Sequence, residues 1–251
     1  MKPLIACVLG LLLGSTAGAT DIAIFSGDGS PPKMYVQEGK NRGILIDILQ
    51  YADRHLQNDT LQLALYPWAR AYLQAASGEG GIVGLSWTQR RDELFDYSDP
   101  LFFDEVVVVV RKGSEFPFKV LSDLHGRRVG IVRGASYGEA FERARDAGVI
   151  AVDEDNGASN RLNKLVAGRI DCALFNVGKA GFEETLRIHK EFLPFKDSLV
   201  VLSVPLRSDP NFLAFPKSMQ MRSWLVEFNQ IIKKGYARGD IAKIIAQNLG
   251  S

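Results

Sequence analysis

The stretch LQLALYPWARAYLQAASGEGGIVGLS, residues 61–86, decides the fold class. Residues 61–65 read as a strand, Tyr66 and Pro67 break it, and residues 68–76 read as a helix. Gly78, Gly80 and Gly81 end that helix, and residues 82–86 read as the next strand. Upstream, residues 21–25 form a short strand followed by a Gly/Pro loop at 26–32. Residues 43–56 (GILIDILQYADRHL) put Ile44, Ile48, Leu49, Ala52 and Leu56 on one helical face. The resulting βαβαβ alternation predicts an α/β protein with a sheet at least partly parallel.

Downstream the pattern restarts. Strands are expected at 106–111, 128–132, 150–152 and 170–175, with helices at 136–147 and 158–167. Extended stretches at 199–204 and 211–215 follow, and two helices, at about 217–234 and 240–248, close the chain. The chain has no sequence repeat of fixed period and no low-complexity linker.

Residues 1–19 read as a secretory signal: Lys2, an apolar run, then small residues ending at Ala19. The apolar run is shorter than a membrane span, and the valine run 106–110 is only strand-sized. Cleavage after Ala19 would remove Lys2 and Cys7, leaving Lys+Arg and Asp+Glu balanced at 29 each and Cys172 as the lone thiol. An exported chain without a disulfide framework fits a periplasm. Basic and acidic residues are interleaved, so no nucleic-acid stripe is expected. Three scattered histidines and one cysteine supply no metal set, and no nucleotide-binding motif is present; neither cofactor nor metal is expected.

GASYG at 134–138 matches the nucleophile-elbow pattern between a strand and a helix, but no histidine is suitably placed to activate Ser136. Ser136 and Glu139 read instead as a capping box, with Ser136 at the N-cap and free backbone N–H groups that suit an anion. Trp68 and Arg70 open the second helix at the loop end of the sheet, where α/β proteins bind ligands. Trp68 reads equally as aromatic platform or core, and so does Trp87. Arg133 and Lys33 are further cleft cations, and Arg90 and Arg91 beside Asp92 and Glu93 read by spacing alone as a solvated pair.

The pair Pro31 and Pro32, GILID at 43–47, GLSWTQRR at 84–91, YSDP at 97–100, GIVRGAS at 130–136, AGRIDCA at 167–173 and KGYARGDIAKI at 234–244 together resemble the periplasmic solute-binding proteins of the polar amino-acid ABC transporter type. The resemblance covers the chain after the signal, in order. It implies the type II periplasmic-binding-protein fold, with a ligand cleft between two α/β lobes joined by two crossover strands. Lobe one would be 20–107 plus 208–251, and lobe two 108–207.

The resemblance also implies a monomer that takes up a small polar, carboxylate-bearing solute and delivers it to the membrane subunits of an ABC permease. The carboxylate-binding arginine falls on Arg91, with Ser86 and Thr88 offering hydroxyls, and the second-lobe contacts on Val132, Ser136 and Tyr137. Asn176 stands where amino-acid binders of this family carry an aspartate for the ligand ammonium; a zwitterionic ligand would then need another acid such as Asp28 or Glu183, and an anion or neutral ligand would not. Gly81 also stands where an aspartate is common. Two rival readings share the scaffold: a cyclohexadienyl-dehydratase-like enzyme, which needs a cleft carboxylic acid as proton donor, and an input protein for a membrane sensor.

Overall fold

A computed structural model describes residues 20–250; the expected signal, with Cys7, lies outside the described residues. The first half contains β1 (Thr20–Gly27), β2 (Gly29–Ser30), β3 (Met34–Gln37), β4 (Lys40–Arg42), α1 (Ile44–Asp53), β5 (Asp59–Tyr66), α2 (Trp68–Ala76), β6 (Gly81–Ser86), α3 (Gln89–Asp92) and β7 (Phe95–Tyr97). The long β8 (Phe102–Arg111) leads to β9 (Arg128–Val132), α4 (Glu139–Asp146), β10 (Ala151–Asp155), α5 (Ala158–Val166), β11 (Cys172–Asn176), α6 (Gly178–Ile188) and β12 (Leu199–Val201). The equally long β13 (Arg207–Pro216) returns the chain to α7 (Arg222–Ala237) and α8 (Asp240–Leu249).

One sheet runs through both halves in the order β10-β9-β11-β8-β13-β6-β1-β5, with β12 on β8 and β7 on β13. As the alternation predicts, β1 pairs in parallel with β5 and β6, and β9 with β10 and β11. The two long strands are antiparallel and each changes partner midway. Residues 102–106 of β8 pair with β13 and its residues 106–110 with β11, while β13 passes from β8 to β6 at Asn211. β8 and β13 are therefore the two connections between the halves.

The cores follow from this sheet. Ile24, Ile48 and Ile82 of the first half join Phe215 of β13 and Phe228 of α7 in one buried cluster. In the second half the valine run is covered on both sides, since successive strand residues face opposite ways. Val106, Val108 and Val110 pack with Phe141 and Leu174, and Val107 and Val109 with Leu162 and Phe182. The continuous apolar run is thus a two-sided core strand, and no helix among the described residues is long and apolar enough to cross a membrane.

Two local expectations are corrected. The helix expected from residue 136 begins at Glu139, because Gly138 has φ 97°, outside the right-handed helical region, so Ser136 is not its N-cap. The helix expected from 217 is a short 3-10 turn, Lys217–Met219, separated from α7 by Gln220 at φ 54°.

Gly81 has a packing explanation. A Cβ there would lie 2.7 Å from the Phe215 ring and 3.0 Å from the Ile24 side chain, so the position has no room for any side chain. Gly81→Ala should therefore overpack the first core and lower stability by about 1–3 kcal/mol, read as a lower denaturation midpoint with an unchanged urea m-value.

Candidate functional site

A cavity of about 40 Å³ lies between the halves, several times the least volume that holds a water. The first half supplies Ser30, Pro31, Lys33 and Met34 from the β2–β3 region, Trp68 from α2, Gly84 and Ser86 from β6, and Arg91 from α3. The second supplies Val132, Ala135, Ser136 and Tyr137 at and after the end of β9, Ala158 and Arg161 from α5, and Phe175, Asn176 and Val177 at the end of β11. The carboxyl ends of β6, β9 and β11 therefore converge here, as expected for parallel strands in an α/β sheet.

Arg91 is 7% exposed. Thr88 caps α3, its Oγ1 accepting from Arg91 N at 3.2 Å, and so directs the arginine back across the end of β6. There Arg91 Nη1 donates to Ser86 O at 3.0 Å and Nη2 to Gly134 O at 3.1 Å. Burial pushes its pKa down from the usual guanidinium value, yet arginine remains charged in proteins. Its polar partners are carbonyls, and no carboxylate among the described residues pairs with it within 4.0 Å. Gly134 O also accepts from Trp68 Nε1 at 3.0 Å, so one carbonyl from the second half joins two side chains from the first.

Lys33 is treated differently. Its ammonium, 3% exposed, donates to Asp104 Oδ2 at 2.5 Å and Asn211 Oδ1 at 3.0 Å. Asn211 Nδ2 donates to the same Asp104 oxygen at 2.9 Å. Next to it Ser86 Oγ donates to Asp209 Oδ2 at 2.5 Å, and Asp209 Oδ1 lies 2.9 Å from Arg207. This polar cluster sits where β8 and β13 exchange partners. Burial pushes the Asp104 carboxyl up to about 6, outweighing the lowering effect of Lys33.

On the opposite wall Tyr137 is buried and its hydroxyl accepts from Val132 N at 3.0 Å, while Ser136 Oγ accepts from Gly138 N at 3.3 Å. The expected Ser136–Glu139 capping box is not formed; Glu139 instead accepts from Gln89 N at 2.8 Å, across the cleft. Of the residues picked from sequence, Arg91, Ser86, Trp68, Val132, Ser136, Tyr137, Asn176 and Lys33 line the cavity. Trp68 is both lining and core. Thr88 acts one step back, through its cap. Arg70 is exposed and stacks 4.0 Å over Tyr66, Trp87 is 45% exposed and donates to Asp92, and Arg133 faces Glu154 at 3.5 Å; these three do not line it. Nor do Asp28 and Glu183.

Sequence reasoning missed Arg161, which is 2% exposed with its guanidinium 4.5 Å over the Phe175 ring. A signal existed: residues 158, 161, 162 and 165 form one stripe of α5, buried throughout, and Arg161 is its only charged member. No aspartate, glutamate or histidine lines the cavity, so the described lining holds no base for a Ser136 nucleophile. The described residues also contain no cluster of three or more His, Cys, Asp or Glu able to hold a metal.

Comparison with known proteins follows the same lines. Residues 22–251 match the family described as bacterial extracellular solute-binding proteins, family 3. The L-cystine-binding protein TcyJ of Escherichia coli is 26% identical over 139 residues, 55% of this chain and 51% of that protein, so the match spans about half of that relative. A crystal structure of the amino acid ABC transporter substrate-binding protein AbpA from Streptococcus pneumoniae, bound to L-arginine, superposes with a TM-score of 0.73 at 19% identity, covering 92% of this chain and 94% of that one. A histidine kinase sensor domain with similarity to periplasmic binding proteins gives 0.79 at 19% identity, covering 92% and 97%. At these identities the structures establish the shared fold, that of the two-lobed type II periplasmic binding proteins.

The Lys33–Asp104 pair carries a prediction with a definite sign. Lys33→Met leaves Asp104 buried without its cation and should cost about 3–5 kcal/mol at neutral pH. The folded state already holds the Asp104 proton up to about pH 6, above the ordinary 3.8, and losing Lys33 extends that range upward. Between these values the native state binds more protons than the unfolded one, so the variant's stability should fall as pH rises and recover toward pH 4–5. Urea denaturation of both proteins across pH 4–8 checks this; a deficit independent of pH would contradict it.

Proposed function

We propose that this chain, which belongs to the bacterial extracellular solute-binding proteins of family 3, captures a small carboxylate-bearing solute in the cavity between its lobes and hands it to an ABC permease. In this reading residues 1–19 direct export and are removed, and the chain works in the periplasm as a monomer. Lobe one is 20–107 with 208–251, and lobe two is 108–207. The continuous crossing of β8 and β13 and the separate cores on either side support those boundaries.

The observation that carries the reading is Arg91: a permanently charged, buried guanidinium on the cavity wall whose hydrogen-bond acceptors among the described residues are neutral carbonyls, with the Tyr72 ring 5.3 Å away. A carboxylate matches its remaining N–H groups in charge and geometry. Ser136 and Tyr137 line the facing wall and Trp68 supplies an apolar side. A solute touching both walls contacts surfaces that separate when the lobes open, so its binding energy favours closure, which the permease would read. The dehydratase reading finds no support, since it requires a proton-donating acid and none lines the cavity.

Calorimetry with a panel of small carboxylic and amino acids tests this. Arg91→Gln should weaken the best-binding acid by about thirtyfold or more, as truncating one partner of a buried charge pair costs ~2 kcal/mol or more. Unchanged affinity would overturn the assignment of Arg91.

A further inference from the structure

Arg161 is a charged group for which the protein supplies no close acceptor. It lines the cavity at 2% exposure, its Nε has no hydrogen-bond partner among the described residues, and its paired carboxylate, Asp155, stands off at 4.0 Å. Asp155 Oδ2 likewise has no partner, and its Oδ1 is occupied by Gly157 N. Besides that distant carboxylate, the guanidinium stacks 4.5 Å over the Phe175 ring. Burying unpaired guanidinium donors is costly, so the arrangement makes sense if an acceptor arrives from the cavity side.

The rest of the lining points the same way. Ala158, the first residue of α5, brings the N-terminal end of that nine-residue helix to the same wall, and such ends favour negative charge. Arg91, from the other lobe, has no carboxylate of its own, whereas Lys33 is matched by Asp104. Asn176 can accept a hydrogen bond from an ammonium but gives it no countercharge, and no acid lines the cavity to replace it.

We propose that the solute is a small acid with two anionic groups and no ammonium, one group held by Arg91 of lobe one and the other by Arg161 of lobe two. Arg161 is then the specificity-determining residue, and its two-lobe bridge with Arg91 makes a diacid the ligand most effective at closure. This inference rests on the carboxylate-capture reading above.

Calorimetry on the purified protein should compare three series of matched length: malonate, succinate and glutarate; propanoate, butanoate and pentanoate; aminomalonate, aspartate and glutamate. At the best chain length the diacid should bind at least about tenfold more tightly than both its monoacid and its amino counterpart, the scale of one added charge-assisted hydrogen bond. Arg161→Gln should bring the diacid-to-monoacid ratio close to one while leaving monoacid affinity in place, and Arg161→Lys, which keeps the charge but loses the fork, should retain part of the ratio.

An amino counterpart that binds as tightly as the diacid overturns the proposal, as does a ratio that survives Arg161→Gln, which would mark Arg161 as structural. Should Arg161→Gln not fold, the wild-type series and Arg161→Lys decide on the same criteria. If monoacids and amino acids bind through Arg91 with no advantage for diacids, this inference fails alone; if no acid binds at all, the carboxylate reading fails with it.

Discussion

The ammonium of Lys33 cannot be left alone where it sits, and much of the site depends on how it is matched. It is 3% exposed and reaches Asp104 on β8 and Asn211 on β13, so one cation ties a loop of the first lobe to both strands that join the lobes. Asp104 and Asn211 can reach it together because they lie close to where each strand leaves one partner for the next. Such a cluster is a poor source of net stability, because desolvation offsets most of the Coulombic gain. Its effect is positional. Removing either ion leaves a buried charge unmatched, and removing Asn211 takes a hydrogen bond from each, so the crossing strands and the loop carrying Ser30 and Pro31 hold one mutual arrangement around the cavity.

Closure is then governed by contacts of modest size. Trp68 and Arg91 share the Gly134 carbonyl, Gln89 N donates to Glu139, and Thr185 Oγ1 donates to Pro31 O at 2.8 Å. Intramolecular hydrogen bonds contribute a net ~0.5–1.5 kcal/mol each, and these are set against water bound to the same groups when the lobes part. Moving a two-state equilibrium from 1:99 to 99:1 takes about 5.5 kcal/mol of differential affinity. The protein's own cross-cleft bonds are together of comparable size to that shift. In the proposed reading, a ligand touching both walls adds to that balance and can decide which state is populated.

Much of this was legible in the chain. Helix α2 follows the expected 68–76 because Pro67 and the glycines after it are strong local punctuation, and the valine strand follows from an apolar run too short to be anything but a core strand. Arg91 required the surrounding motif, since its neighbours Asp92 and Glu93 make a solvated pair the simpler reading of spacing. The Ser136 cap failed because Gly138, two residues on, takes a positive φ, and the local Ser–Glu pattern carries no information about that backbone turn. Gly81 could be understood only once Phe215, 134 positions later, was seen to fill its space. Arg161 announced itself as a charge on an apolar stripe, but its meaning depended on Phe175, Asp155 and the facing lobe, which are brought together only by the sheet order.

The same placement of charge bears on which solutes the proposed site would favour. An α-amino acid presents a carboxylate and an ammonium, and a buried ammonium without a countercharge pays the desolvation of an ion. In the proposed site the neutral amide of Asn176 offers an ammonium no countercharge, which raises that cost for every zwitterion at once. The cavity then has surplus positive charge, since Asp104 neutralises Lys33 but no carboxylate in contact neutralises Arg91. Specificity of this kind comes as much from what the lining lacks as from what it offers, and a formal net charge of +1 for the whole chain neither predicts nor opposes it.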